Sequence, residues 1–122
     1  MHEEIFKKLE GVAKNIVGQE LAKLGYRDIK SVRCVALKEP IPGFAVNGTI
    51  DSKEFVLRID EPLKYRGSVI NVMFSLVGRF TPSGRTLVVD HKRDEEIEQD
   101  CIKAIISCIE SWAKKPREHT GR

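Results

Sequence analysis

The sequence predicts an α+β fold: a leading helix, a four- to five-stranded antiparallel meander and a C-terminal helix. Three observations predict it. Apolar residues recur at helical spacing near both ends, over residues 5–24 and 97–113. Between them the apolar residues alternate, as in Phe55-x-Leu57-x-Ile59 and Ile70-x-Val72-x-Phe74-x-Leu76. The connections between these alternating segments are too short for the crossover that parallel strands need, so neighbouring strands pair antiparallel. Because the strands carry polar residues on one face, helices cover only the other.

Glu3 to Leu24 reads as an amphipathic helix. Ile5, Leu9, Val12 and Ile16 form one apolar row, and Ala13, Val17, Leu21 and Leu24 the adjoining one. Gly25 suits its C-terminal cap, since glycine adopts the left-handed conformation without a steric penalty. Gly18, inside the helix, weakens it or marks a close approach to the sheet.

Asp28 to Leu37 is strand-like through Ile29, Val32 and Val35, with no face decided by alternation. Pro40-Ile41-Pro42-Gly43 is a turn. Phe44, Val46, Gly48 and Ile50 then alternate with Ala45, Asn47, Thr49 and Asp51, the pattern of a half-buried strand. The short link Asp51-Ser52-Lys53-Glu54 predicts a hairpin with the next strand. There Phe55, Leu57 and Ile59 point inward, and Val56, Arg58 and Asp60 outward. Asp60 to Gly67 is a loop, and Val69 to Val77 is the most apolar strand. Gly78 to Gly84 reads as a loop with turn chemistry at Pro82-Ser83-Gly84, and Thr86 to Asp90 as a short fifth strand.

The last helix begins at Asp94-Glu95-Glu96, acids that suit the positive end of its dipole. Ile97, Cys101, Ala104, Ile105, Cys108, Ile109 and Trp112 form its apolar stripe. Pro116 ends it, after Lys114 and Lys115. No repeat or linker is visible. The expectation is one domain over residues 1–115 and a basic, disordered tail over 116–122.

Composition excludes several classes. At 41% hydrophobic and 32% charged residues, the 122-residue chain has the balance of a globular domain. No apolar run approaches the roughly 20 residues of a membrane span, and the first residues lack an apolar signal core, so a cytoplasmic protein is expected. The net charge is +3, and the residues from Lys114 onward, with four basic side chains and one acid, account for all of it. A neutral body lacks the electrostatic footprint of a general nucleic-acid binder. Cys34, Cys101 and Cys108 are an odd set without zinc-site spacing, which reads as reduced core thiols. Neither a metal nor another cofactor is expected.

One resemblance stands on particular residues. Val46-Asn47-Gly48-Thr49-Ile50, then Phe55-x-Leu57-x-Ile59-x-x-Pro62-x-x-Tyr65, then Val72-x-Phe74, resembles the ubiquitin-conjugating-enzyme fold, whose superfamily includes catalytically dead variants and RWD domains. The family places a glycine after its second strand, an apolar triplet on the third and a proline three residues before a tyrosine. A Val-x-Phe follows on the fourth strand. The likeness covers roughly residues 5–89. The chain departs from it after Tyr65, where Arg66-Gly67-Ser68 replaces proline. Active members then carry a His-Pro-Asn segment and a cysteine. Here the stretch is Phe80-Thr81-Pro82-Ser83-Gly84-Arg85-Thr86-Leu87-Val88, and the cysteine position falls on about Leu87. With no thiolate there, and no asparagine to hold an oxyanion, the resemblance implies a non-catalytic member that docks a protein partner.

The remaining candidates weigh as follows. Tyr65, Arg66, Arg79 and Phe80 fall in two loops expected at one end of the sheet, and tyrosine, phenylalanine and arginine are common protein-binding anchors. Arg58, Arg66, Arg79 and Arg85 with the tail arginines, beside Tyr65 and Phe80 as stacking platforms, form the alternative of a nucleic-acid-binding domain. A cysteine-dependent enzyme through Cys101 or Cys34 is a third reading. Asp51, Asp60 and Glu61 evoke a metal nuclease, but Glu61-x-x-Lys64 has the wrong spacing. His91, among several acids, reads as a solvated loop end. The uncovered sheet face, with Asn47, Thr49, Arg58 and Asn71 outward, is polar enough to face water, so a dimer there is not required.

Overall fold

The computed structural model describes residues 2–38, 40–76 and 79–114, with the backbone alone at 79–81. Helix α1 (Glu3–Lys23) leads into strands β1 (Ile29–Ala36), β2 (Gly43–Ile50), β3 (Lys53–Asp60), β4 (Val69–Leu76) and β5 (Arg79–Val88). Helix α2 (Asp94–Lys114) follows. The strands form one antiparallel sheet in the order β1-β2-β3-β4-β5, a meander without crossovers. Both helices lie on one face of it: α1 packs on β1 and β2, α2 on β4 and β5, and the two helices pack on each other. This is the α+β layer that the alternation predicts.

Local chemistry sets the element ends. At the end of α1 the Gly25 N–H donates to Ala22 O (3.0 Å) and the Tyr26 N–H to Leu21 O (3.2 Å), with Gly25 at φ 95. This is a Schellman cap, and it is why glycine stands there. At the start of α2 the Arg93 N–H donates to Glu96 Oε1 (3.0 Å), half of a capping box. That backbone donor holds the Glu96 carboxyl below its usual range. Between β2 and β3, Ile50 pairs with Lys53 and only Asp51 and Ser52 intervene, at φ 51 and 68. Positive φ at both loop residues suits the right-handed twist of a hairpin.

The core lies between the sheet and the helices. It joins Phe44, Val46, Phe55, Leu57, Ile59, Ile70, Val72 and Phe74 from the sheet to Leu9, Val17, Leu21, Ile105, Ile109 and Trp112 from the helices. Trp112 anchors it: its ring meets Phe74 edge-on with centroids 4.9 Å apart, and Tyr26 lies 5.9 Å away.

Several expectations need correction. From Arg79 on, the segment read as a loop over 78–84 followed by a short strand is instead a ten-residue edge strand, β5, while Val77 and Gly78 lie outside the described residues. Pro82 is tolerated there because an edge strand has one unpaired side, and a register shift opposite Phe74/Leu76 absorbs the extra residues. Val12 and Leu24, placed on apolar rows of α1, are exposed; the buried stripe runs Ile5, Phe6, Leu9, Ala13, Val17, Leu21. Gly18 makes no close approach: a Cβ there would meet nothing within 4 Å. The expected tail over 116–122 lies outside the described residues.

Candidate functional site

One face of the sheet has no described helix over it. The pairing register lays its outward residues in rows. One row runs Arg33, Asn47, Val56, Ser75. The next runs Val35, Ala45, Arg58, Met73, Gly84. A third holds Asp60, Asn71 and Thr86, and Val69 and Val88 close the corner. The face is mixed rather than simply polar: Val35, Met73 and Val88 are exposed among the charges.

Two of the charges on this face, Arg58 and Asp60, hold each other in place. Arg58 Nε donates to Asp60 Oδ2 at 2.7 Å, two residues along the same strand, so the guanidinium is held over the middle of the sheet. Thr86 Oγ1 lies 3.1 Å from Asn71 Oδ1 across β4 and β5. Between these pairs runs a groove of about 380 Å³, lined by Arg58, Asp60, Asn71, Met73, Gly84 and Thr86. A second groove lies at the corner beside Pro62, Lys64, Tyr65 and Val69. Asn47 lines two more hollows, and its buried Oδ1 has no hydrogen-bond partner.

The loop after β3 positions Tyr65 at that corner. Pro62, at φ −61, opens a turn of 3₁₀ helix over Leu63–Tyr65, and Arg66 ends it in the left-handed conformation. Tyr65 is left 45% exposed, with Lys64 Nζ 5.0 Å above its ring. Tyr65 and Arg66 therefore sit together on the surface as expected. Arg79 and Phe80 do not join them. Consecutive connections of a meander alternate between the two ends of the sheet: Val69 pairs with Val88 beside Tyr65, whereas Leu76 pairs with Arg79 at the far end. The length of β4, about 25 Å, separates the two loops. The side chains of Arg79 and Phe80 lie outside the described residues. Val69, Asn71 and Thr86 take their place, lining one groove with Tyr65. Alternation over β4 held a signal for the first two, but only the register shows which strand lies alongside.

The other candidates are scattered. Arg85 turns to the helix side of β5, where Nη2 donates to Ser107 Oγ (2.8 Å) and Ser111 Oγ (3.3 Å), away from Arg58. Asp51 lies in the β2–β3 turn, at the opposite end of β3 from Asp60 and Glu61. Glu61 is buried, 2.9 Å from His2 Nδ1. His91 is exposed at φ 63. Among the described residues no three His, Cys, Asp or Glu side chains are placed to share a metal ion. Cys101 is fully buried, and burial pushes its thiol up to about 12; burial also raises Cys34, whose Sγ lies 3.6 Å from Glu10 O. A nucleophilic thiol needs the reverse shift. No described helix is long and apolar enough to cross a membrane.

Comparison with protein-family models, with curated proteins and with solved structures finds no match.

Proposed function

We propose that this chain is a non-catalytic protein-binding module of the cytoplasm, a relative of ubiquitin-conjugating enzymes without the catalytic cysteine. The observation that carries the reading is the sheet face left open by both helices. On it Val35, Met73, Val88 and Tyr65 stand exposed around the paired Arg58 and Asp60, and grooves run between them. Exposed apolar anchors beside ordered polar groups are the makings of a protein interface, since little side-chain freedom remains to be lost on docking. Of the residues that carry the resemblance, Phe55, Leu57 and Ile59 lie on β3, Pro62 and Tyr65 in the loop, and Val72 and Phe74 on β4, whereas Gly48 lies within β2 rather than after it. Leu87, at the cysteine position, is partly buried against the core.

The nucleic-acid alternative finds less support. The outward strand positions from Arg33 to Val88 named above hold no aromatic side chain, so among them a base has nothing to stack upon and is left with Tyr65 of the corner loop.

The test is capture from lysate of the native host by the wild-type chain, by Met73→Asp and Tyr65→Ala variants, and by a control changed on the far side of α1 (Lys8→Ala). A protein held in reductant by wild type and control but released by both face variants is the expected result. Capture by all four alike, or a partner held only without reductant, overturns the reading. Loss of the partner on nuclease treatment, with steep salt dependence, moves it to nucleic acid.

A further inference from the structure

We infer that the second half of β5 is a docking edge for an extended segment of a partner protein, one that carries a large apolar residue directly beside an acidic one. This rests on the protein-binding reading and names the chemistry of the partner.

The two edges of the sheet differ. β1 is interrupted by a register shift between Lys30 and Arg33, with Ser31 at φ 58, and it carries both basic residues. Bulges and edge charges of this kind keep other strands away. The first half of β5 is blunted in the same way by Pro82 and its own register shift. From Ser83 to Val88, however, six residues pair with Phe74 to Val69 in unbroken register. No described strand pairs with the outer side of this stretch, and Gly84, Arg85, Thr86 and Val88 are exposed along it. Such an edge presents main-chain donors and acceptors to an incoming strand.

Two neighbouring residues on this edge set what the incoming strand must carry. Toward the open face, Gly84 leaves a notch: a Cβ there would stand 3.5 Å from Val72 O and 4.0 Å from Met73 Cγ, ordinary contacts, and the groove of about 380 Å³ begins at it. The sheet fills a similar notch internally, where the Phe55 ring lies over its cross-strand partner Gly48. By the same packing, a large apolar side chain opposite Gly84 would cover the notch and reach Met73.

Toward the helices, the next residue is Arg85. Its guanidinium donates only to neutral oxygens, the hydroxyls of Ser107 and Ser111 and the Gly84 carbonyl (3.3 Å), and no described carboxylate pairs with it. A strand residue beside it meets an unbalanced cation. An apolar residue there is penalised and a carboxylate is rewarded, so Arg85 acts as a filter. Since successive strand residues face opposite sides, the apolar and acidic residues of the partner must be adjacent. A second copy of β5 paired antiparallel about Arg85 sets two Arg85 groups side by side, which disfavours self-pairing in that register.

The test uses a displayed library of random linear peptides, selected on the full chain, and synthetic versions of the enriched sequences. The expected winners place Phe, Tyr, Trp, Leu or Ile next to Asp or Glu. Their binding slows hydrogen exchange at alternate amides between Ser83 and Val88. N-methylation at alternate peptide residues abolishes binding in one phase and spares it in the other. Gly84→Val and Arg85→Gln each weaken binding about tenfold or more, with native Trp112 fluorescence confirming the fold; Arg85→Lys restores part of the loss. Enriched peptides without the apolar–acidic pair overturn the proposal, as does slowed exchange on β1 or the open face instead, an outcome that leaves the protein-binding reading standing. A dimer whose Ser83–Val88 amides are already slow gives the edge to a second copy and also overturns it. If no peptide is enriched the edge assignment fails, while the lysate capture decides the broader reading separately.

Discussion

The ring of Phe55 lies across the backbone of Gly48, its cross-strand partner: a Cβ on Gly48 would stand 2.7 Å from both Cε2 and Cζ of that ring, and 3.0 Å from Lys30 O. Glycine at 48 is therefore a packing requirement of β3. Gly48→Ala is expected to cost about 1–3 kcal/mol, because neither ring nor backbone can yield without disturbing the core. Urea unfolding followed through Trp112 measures it. Since the clash is mainly with the ring, the same change in a Phe55→Leu background should cost measurably less, and equal costs in both backgrounds would refute the account.

Two other glycines are expected to behave in the opposite way. Gly11 and Gly18 lie within α1, and a Cβ at either meets nothing within 4 Å. Nothing is gained from their freedom in this fold, and helix propensity favours alanine by roughly 1 kcal/mol. Gly11→Ala and Gly18→Ala should each raise the midpoint of unfolding, and their effects should add, since they lie two helical turns apart. A loss at either position would mean that its surface is covered in the native protein.

The β2–β3 turn stores strain that one substitution should release. Ser52 holds φ 68 in a two-residue hairpin loop whose second position favours glycine. Ser52→Gly is expected to stabilise by about 0.5–1 kcal/mol, with relief of the left-handed conformation outweighing the added freedom of the unfolded chain. Thermal unfolding by calorimetry would show it, and a fall in the midpoint would count against the turn geometry.

Cys101 should make stability depend on alkaline pH. Burial lifts its thiol from an ordinary 9 to about 12. Between those values the unfolded chain loses the proton while the folded one keeps it, so its contribution to stability is whole below about pH 9. That contribution drains away as pH rises toward 12, at up to roughly 1.4 kcal/mol per pH unit. Cys101→Ser should flatten this limb. Native Cys101 should also resist alkylation at pH 8, whereas rapid labelling would revive a thiol chemistry that its burial opposes.

Much of this architecture was legible before any coordinates. The alternation in Phe55-x-Leu57-x-Ile59 and Val72-x-Phe74 marks the buried sheet face, because a side-chain period of two leaves a strand no other choice when one face meets the core. The Cys101–Trp112 stripe likewise marks the face of α2 that the sheet covers. β5 escaped because Pro82, Ser83 and Gly84 have the chemistry of a turn. Only pairing with β4 along six residues overrides that local preference.

The candidate site divides along the same line. That Tyr65 and Arg66 stand on an exposed loop follows from local chemistry, through Pro62 at its entry and Gly67 at its exit. That Arg79 lies at the other end of the sheet, and that Val69, Asn71 and Thr86 share a groove with Tyr65, follows from strand order and register. Periodicity determines which way a side chain points, since it depends only on the backbone of its own strand. What stands beside it depends on residues distant in sequence: Gly84 beside Met73, Arg85 beneath the edge on Ser107 and Ser111, and Arg58 over the open face are products of the tertiary fold alone.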